Sequence, residues 1–129
     1  MDAAARAATQ GVVWLAVNSG APGKQGAGAE VNRAAKAAWK LPHPVLLDES
    51  GEVGRAYGAT NTPHLFVIDA AGRLAYRGAV DNSPDGERGA PEGGALVEYA
   101  AAAVDDLRSG RPVRVPTTKA YGCGVKYAQ

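Results

Sequence analysis

Cysteine is nearly absent: the 129 residues hold one, Cys123. A lone cysteine excludes an intramolecular disulfide, a Cys-x-x-Cys redox pair within this sequence and the cysteine-rich zinc sites. Aromatics are scarce at 6%, with two tryptophans and one phenylalanine, while alanine makes up about a fifth of the chain. Buried apolar surface stabilises by roughly 25 cal/mol per Å², so a core built from such small side chains is thin. An excess of one charge sign is missing too. Fourteen Lys+Arg stand against thirteen Asp+Glu, for a net charge of +1. That leaves no strong field for nucleic acid or anionic lipid, and neither is expected as a partner. No stretch approaches the roughly 18 apolar residues that a membrane span needs. Asp2 follows Met1 with no long apolar run behind it, which is not the pattern of a secretory signal. The cytosol is the expected compartment.

A hydrophobic content of 46% suits a folded chain, and the length suits one domain. Residues 2–10 read as a short alanine-rich helix stopped by Gly11. Val12-Val13-Trp14-Leu15-Ala16-Val17 is a short apolar run rich in β-branched residues, expected as a strand buried on both faces. A small chain with such a strand needs helices above and below it, which points to an α/β architecture. The Gly-rich stretch 19–29 fails two phosphate-binding motifs. Gln25 follows Gly23-Lys24 where a P-loop needs Ser or Thr, and Val31 stands where a dinucleotide fingerprint needs its third glycine. A flexible surface loop is the expectation there.

Beyond it, Val31, Ala34, Ala35, Ala38 and Trp39 share one face of a helix over 30–41, ended by Pro42. Residues 44–48 read as a strand, and Asp48-Glu49-Ser50-Gly51 as a solvated turn. Ser50 is the expected N-cap of a helix over 52–57, with Gly58 as its C-cap. Leu65 to Asp69 is a second apolar strand. Ala70-Ala71-Gly72 suits a hairpin loop, and residues 73–78 alternate like an edge strand. Residues 83–94 are polar and Gly/Pro-rich, a surface loop. Leu96, Val97, Ala100, Ala101, Val104 and Leu107 form a final apolar helix face, and the chain from Arg111 is extended. No repeat or linker divides the sequence. Trp14 and Trp39 are most simply core residues.

This order of elements is the plan of a thioredoxin-like domain, a mixed sheet flanked by helices. The segment Gly58-Ala59-Thr60-Asn61-Thr62-Pro63-His64-Leu65-Phe66-Val67-Ile68-Asp69-Ala70-Ala71-Gly72 resembles the cis-proline loop, strand and hairpin of thioredoxin-like redoxins. Val45-Leu46-Leu47-Asp48 with Val53-Gly54-Arg55-Ala56-Tyr57-Gly58 resembles the strand and helix before it. The tail Tyr121-Gly122-Cys123-Gly124-Val125-Lys126-Tyr127 is similar to the Gly-Cys-x-x-Lys-aromatic ending of a redoxin branch related to the alkyl hydroperoxide reductase/thiol-specific antioxidant group. With Trp14 to Ser19, the resemblance spans nearly the whole chain.

It departs from the family at one place. Redoxins open with a strand and then a Cys-x-x-Cys or single-Cys motif at a helix N-terminus, where the helix dipole favours a thiolate. Neither is present, and residues 1–10 correspond to the later turns of that helix. The family's missing strand lies between those matching Val12–Val17 and Leu65–Asp69, so its loss leaves a gap of roughly 9.5 Å. The chain is therefore expected to be a single thioredoxin-like domain over residues 1–129, incomplete at its N-terminus. A missing N-terminal segment or a homodimeric partner would close the sheet.

The resemblance implies a thiol–disulfide or peroxide-linked oxidoreductase with antioxidant chemistry, acting on protein or small-molecule thiols and disulfides. The alternative is a redox-inactive binding module that uses the Pro63 loop and open sheet edges. Thr62, Pro63 and His64 are the implied substrate-binding residues, with the Thr62–Pro63 bond cis. Cys123 is the candidate catalytic thiol. Flanking glycines leave its backbone open and Lys119 and Lys126 would favour its thiolate, against the alternative of an inert buried cysteine or an inward-facing strand position. His43, His64 and Cys123 lack ligand spacing, so no metal site is expected, and no cofactor. Asp48-Glu49 has no histidine beside it and reads as part of a turn.

Overall fold

The computed structural model describes residues 11–24, 26–40, 43–83 and 95–128. The helix expected over 2–10 and most of the loop expected over 83–94 lie outside the described residues. The chain forms two compact units, Met1–Ala59 with Val125–Gln129, and Thr60–Gly124.

The first unit contains β1 (Ala16–Asn18), α1 (Ala29–Ala38), β2 (Val45–Leu47) and α2 (Glu52–Tyr57). β1 and β2 are parallel, with Ala16 opposite Val45 and Asn18 opposite Leu47. Parallel neighbours need a crossover, and α1 supplies it, packing against β2. The glycine-rich loop entering α1 is anchored by two asparagines. Asn32 Nδ2 donates to the Gly28 and Gly26 carbonyls at 2.7 and 2.9 Å, and Asn18 Nδ2 donates to Asn32 Oδ1 at 2.8 Å. The stretch expected to be flexible is thus tied to the end of β1.

Several expectations need correction in this unit. The run 12–17 enters the ladder only at its end and is not buried on both faces. Val13, Leu15 and Val17 are 82%, 54% and 45% exposed, alternating with half-buried Val12, Trp14 and Ala16. The reason is the pairing: β2 is the only partner strand of β1 among the described residues, and one face of this two-stranded sheet is left open. Trp39 is the C-cap residue of α1 and is 72% exposed, so it is not core. The N-cap of α2 is Gly51, in the left-handed region, rather than Ser50. Gly58 closes α2 as expected, also left-handed, with its N–H on the Arg55 carbonyl.

The second unit contains β3 (Asn61–Thr62), β4 (Leu65–Ile68), β5 (Leu74–Gly78), α3 (Tyr99–Arg108) and β6 (Cys123–Gly124). β4 and β5 form the expected hairpin, in which Asp69 Oδ1 accepts from the Ala71 and Arg73 N–H groups. α3 packs on both strands. Its core is small, as the composition implied: Tyr76, Ala100 and Ala103 are buried, with Leu65, Val67, Tyr99 and Val113 around them. Tyr76 is fully buried and its hydroxyl is satisfied. It donates to the Ala79 carbonyl at 2.5 Å and lies 2.6 Å from Thr118 Oγ1, which accepts the Ala79 N–H.

Asp106 near the C-terminal end of α3 is an acid where the helix dipole disfavours one. It is buried and compensated. Its carboxylate accepts from the Arg114 backbone N–H and Nε, both at 3.1 Å, and from Arg111 at 3.2 Å. These bonds, that backbone N–H foremost, hold its pKa down to about 2. The same bonds fasten the extended segment after the helix.

Candidate functional site

The second unit brings the four sequence-selected residues together. β3 and β6 form a short antiparallel ladder in which Thr62 is directly opposite Cys123, and Asn61 opposite Gly124. The next residue, Pro63, follows a cis peptide bond. Thr62, Pro63 and Cys123 are all exposed. Cys123 is therefore neither the buried cysteine nor the inward-facing strand position weighed from sequence; its thiol is free and open to solvent.

The ladder needs a glycine beside the cysteine. Gly122 has φ of 109°, and a Cβ there would fall on the Thr62 carbonyl oxygen. Only glycine allows the two backbones this approach. Asn61 adds a side-chain tie, with Nδ2 donating to the Gly122 carbonyl at 3.1 Å. Sequence reasoning did not select Asn61 or Gly122. The glycine on either side of Cys123 was the available signal, since glycine recurs where backbones come close.

His64 is placed by its neighbours. The Thr60 backbone N–H donates to Nδ1 at 3.1 Å, and the ring stacks on Phe66 with centroids 4.7 Å apart. Burial, then the nearby Arg77 charge, pushes the His64 pKa below its ordinary value. The imidazole is thus held neutral near pH 7, with Nδ1 as acceptor and the proton on Nε2. Pro63 and its flanks thus bring two exposed residues, a half-buried imidazole fixed at Nδ1 and an accessible thiol into one unit.

In the first unit, Asp48 departs from the solvated turn expected of it. It is buried, with Oδ2 accepting from Ser19 Oγ at 2.7 Å and the Gly54 N–H at 2.9 Å, and Oδ1 from the Val53 N–H at 3.2 Å. The Ser19 hydroxyl leads in lowering its pKa. The carboxylate therefore satisfies free N–H groups in the first turn of α2, a structural role. Tyr127 from the tail packs on Gly51 and Gly54 and donates to the Ala59 carbonyl at 2.7 Å. Among the described residues, no group of three or more His, Cys, Asp or Glu side chains could hold a metal ion. No helix among them is long and apolar enough to cross a membrane.

A small α/β fold with parallel and antiparallel strand pairs and a proline loop facing an exposed cysteine is that of a thioredoxin-like protein. A family model described as Redoxin matches residues 2–92. The chain belongs to the redoxin family. It is similar to a solved hypothetical protein from Sinorhizobium meliloti 1021, at 31% identity and a TM-score of 0.76, over 97% of this chain and 67% of that one. It is also similar to a solved uncharacterized conserved protein from Geobacillus kaustophilus, at 32% identity and a TM-score of 0.79, over 97% of this chain and 65% of that one. The chain thus spans about two thirds of the length of these relatives. No curated protein matches it.

Proposed function

We propose that the chain is the thiol-substrate side of a thiol–disulfide or peroxide-linked oxidoreductase, with the Pro63 loop as the docking edge and Cys123 as a one-cysteine thiol. The observation that carries this reading is the register of Thr62 against Cys123, which sets an exposed thiol beside the exposed loop. In the exchange step, the Cys123 thiolate attacks one sulfur of a substrate disulfide. A Cys123–substrate disulfide forms, the substrate S–S bond breaks, and the other sulfur leaves as a thiolate that takes up a proton. A low-molecular-weight thiol then attacks the mixed disulfide, restores the Cys123 thiol and carries the oxidising equivalent away. Around this edge the Thr62 and Pro63 backbone holds the partner, and His64 Nε2 donates a hydrogen bond to it.

The alternative, a redox-inactive binding module, draws on the open face of β1, where Val13, Leu15 and Val17 are exposed in alternation. Such an apolar stripe suits a partner surface, from a second copy or from an N-terminal segment of a longer redoxin. One experiment separates the two readings. The chain and its Cys123→Ser variant are incubated with oxidised glutathione and with a peptide disulfide, followed by intact-mass spectrometry over time. The oxidoreductase reading expects an adduct on the unmodified chain alone, formed at least about tenfold faster than on free cysteine. Formation no faster than on free cysteine with both disulfides rejects it in favour of the binding module.

A further inference from the structure

The first unit contains a concave site of a different character from the thiol edge. The tail residues 125–128 run back along this unit, fixed by the Ala21 N–H donating to the Lys126 carbonyl at 2.7 Å. With α2 and the loop before α1 they border an open depression of about 440 Å³, lined by Lys24, Arg55, Val125, Lys126, Tyr127 and Ala128. Three of the six lining residues are cationic and none is acidic. A cavity of this size falls in the range of small-molecule sites, roughly 300–1,000 Å³.

Its central cation is built in. Arg55 donates through one terminal nitrogen to the Ser50 carbonyl at 2.9 Å and through the other to the Ala128 carbonyl. Its guanidinium lies over the Tyr127 ring, 4.7 Å from the centroid. Tyr127 in turn is fixed by its bond to the Ala59 carbonyl and by close packing on Gly51 and Gly54. Arg55 is therefore oriented by neutral hydrogen-bond acceptors; the Asp48 carboxylate lies near enough to interact with it, but its own hydrogen bonds go to Ser19, Val53 and Gly54, which leaves the guanidinium free to take an anion. Lys24 and Lys126 are exposed and flank it. Three cationic side chains line one cavity against the single nearby carboxylate of Asp48, so a net positive charge remains, and a dianion offsets it better than a monoanion.

We propose that this cavity binds a phosphate group, in particular that of a small phosphate monoester, with Arg55, Lys24 and Lys126 as its ligands. The proposal does not depend on the thiol chemistry of Cys123. The site's cations come from three distant segments of the sequence, so no single local motif marks it. None of them belongs to a glycine-rich fingerprint.

The test is titration of the full chain with inorganic phosphate at low ionic strength, followed by amide chemical shifts, with acetate as the monoanion control. Saturable shifts at Lys24, Arg55 and Lys126 are expected, with a Kd below about 1 mM and acetate at least about tenfold weaker. Lys24→Gln and Lys126→Gln, both at exposed side chains, should each weaken phosphate about fivefold or more. Lys36→Gln, which removes the same charge from the outer surface of α1, should leave the affinity unchanged. Shifts that do not saturate, or an equal loss in Lys36→Gln, would overturn the site as diffuse attraction.

Discussion

Thr62 and Cys123 stand directly opposite each other in the β3–β6 ladder, although 61 positions separate them in sequence. A two-residue ladder has few hydrogen bonds, so its geometry rests on what its flanks permit. Gly122 is the flank that matters, because a side chain there meets the Thr62 carbonyl.

Gly122→Ala is therefore expected to break this pairing. The substitution combines a Cβ clash with backbone at a left-handed φ, and each is unfavourable; together they should cost about 1–3 kcal/mol. The expected outcome in urea unfolding is a lowered midpoint with the slope retained. Alkylation of Cys123 should change in rate at the same time, since the residue leaves its ladder position. A variant with unchanged midpoint and unchanged alkylation rate would show that the ladder does not hold Cys123 in place.

Gly54→Ala tests the packing of the tail aromatic. In an exposed helix, alanine is favoured over glycine by about 1 kcal/mol. Here a Cβ would sit 2.5 Å from Ser19 Oγ and 2.6 Å from the Tyr127 hydroxyl, displacing two groups that are themselves hydrogen-bonded. Overpacking of this kind costs about 1–3 kcal/mol, so the net effect should be destabilising. Thermal unfolding of Gly54→Ala beside Tyr127→Phe checks it. If Gly54→Ala raises the midpoint, propensity outweighs packing and Tyr127 is not tightly seated.

These two glycines also show what could and could not be read from the sequence. The order of strands and helices was legible because period and punctuation are local: Gly58 and Gly72 end or turn their elements, and the apolar runs lie between such points, although the helix expected to run to Pro42 stops at Ala38. The selection of Thr62, Pro63, His64 and Cys123 rested on a family resemblance, and the structure places all four in one unit. Burial was the poorest guide. Whether Val13, Leu15 and Val17 are covered depends on a neighbour for β1, which no local pattern encodes. Asp48 looked like a turn residue because nothing in Asp48-Glu49-Ser50-Gly51 reveals that Ser19 donates to it from 29 positions away. The roles of Gly54 and Gly122 follow from contacts with Tyr127 and Thr62, again distant in sequence.

Acid stability should carry the signature of Asp106. Its pKa falls from an ordinary 3.8 to about 2 in the folded chain. The unfolded state therefore binds more protons than the folded state between those values. The contribution of Asp106 is complete above about pH 4 and is lost as pH falls through the folded value. Urea unfolding measured from about pH 6 to about pH 2 should show stability declining over that window. Asp106→Asn should be less stable at neutral pH and decline less steeply in acid, with the remaining slope due in part to Asp48, whose pKa is lowered as well. An unchanged slope in Asp106→Asn would mean that Arg111 and Arg114 do not hold the carboxylate in solution.

His64 acts in the same direction but in a higher pH window and for a different reason. Its folded pKa lies below the ordinary 6.5 because burial and Arg77 disfavour the cation. Below about pH 6.5 the unfolded chain takes up a proton before the folded one does, so this component of stability is present at neutral pH and lost as pH falls. Nitrogen-detected NMR of the imidazole should find Nδ1 unprotonated at pH 7, in line with the Thr60 N–H donating to it. The midpoint should lie below that of a histidine in a model peptide, and Arg77→Gln should move it upward, because the second of its two causes is removed. A His64 midpoint at or above the peptide value would remove Nε2–H as a fixed donor beside Pro63, and leave substrate contact at this edge to the backbone and Cys123.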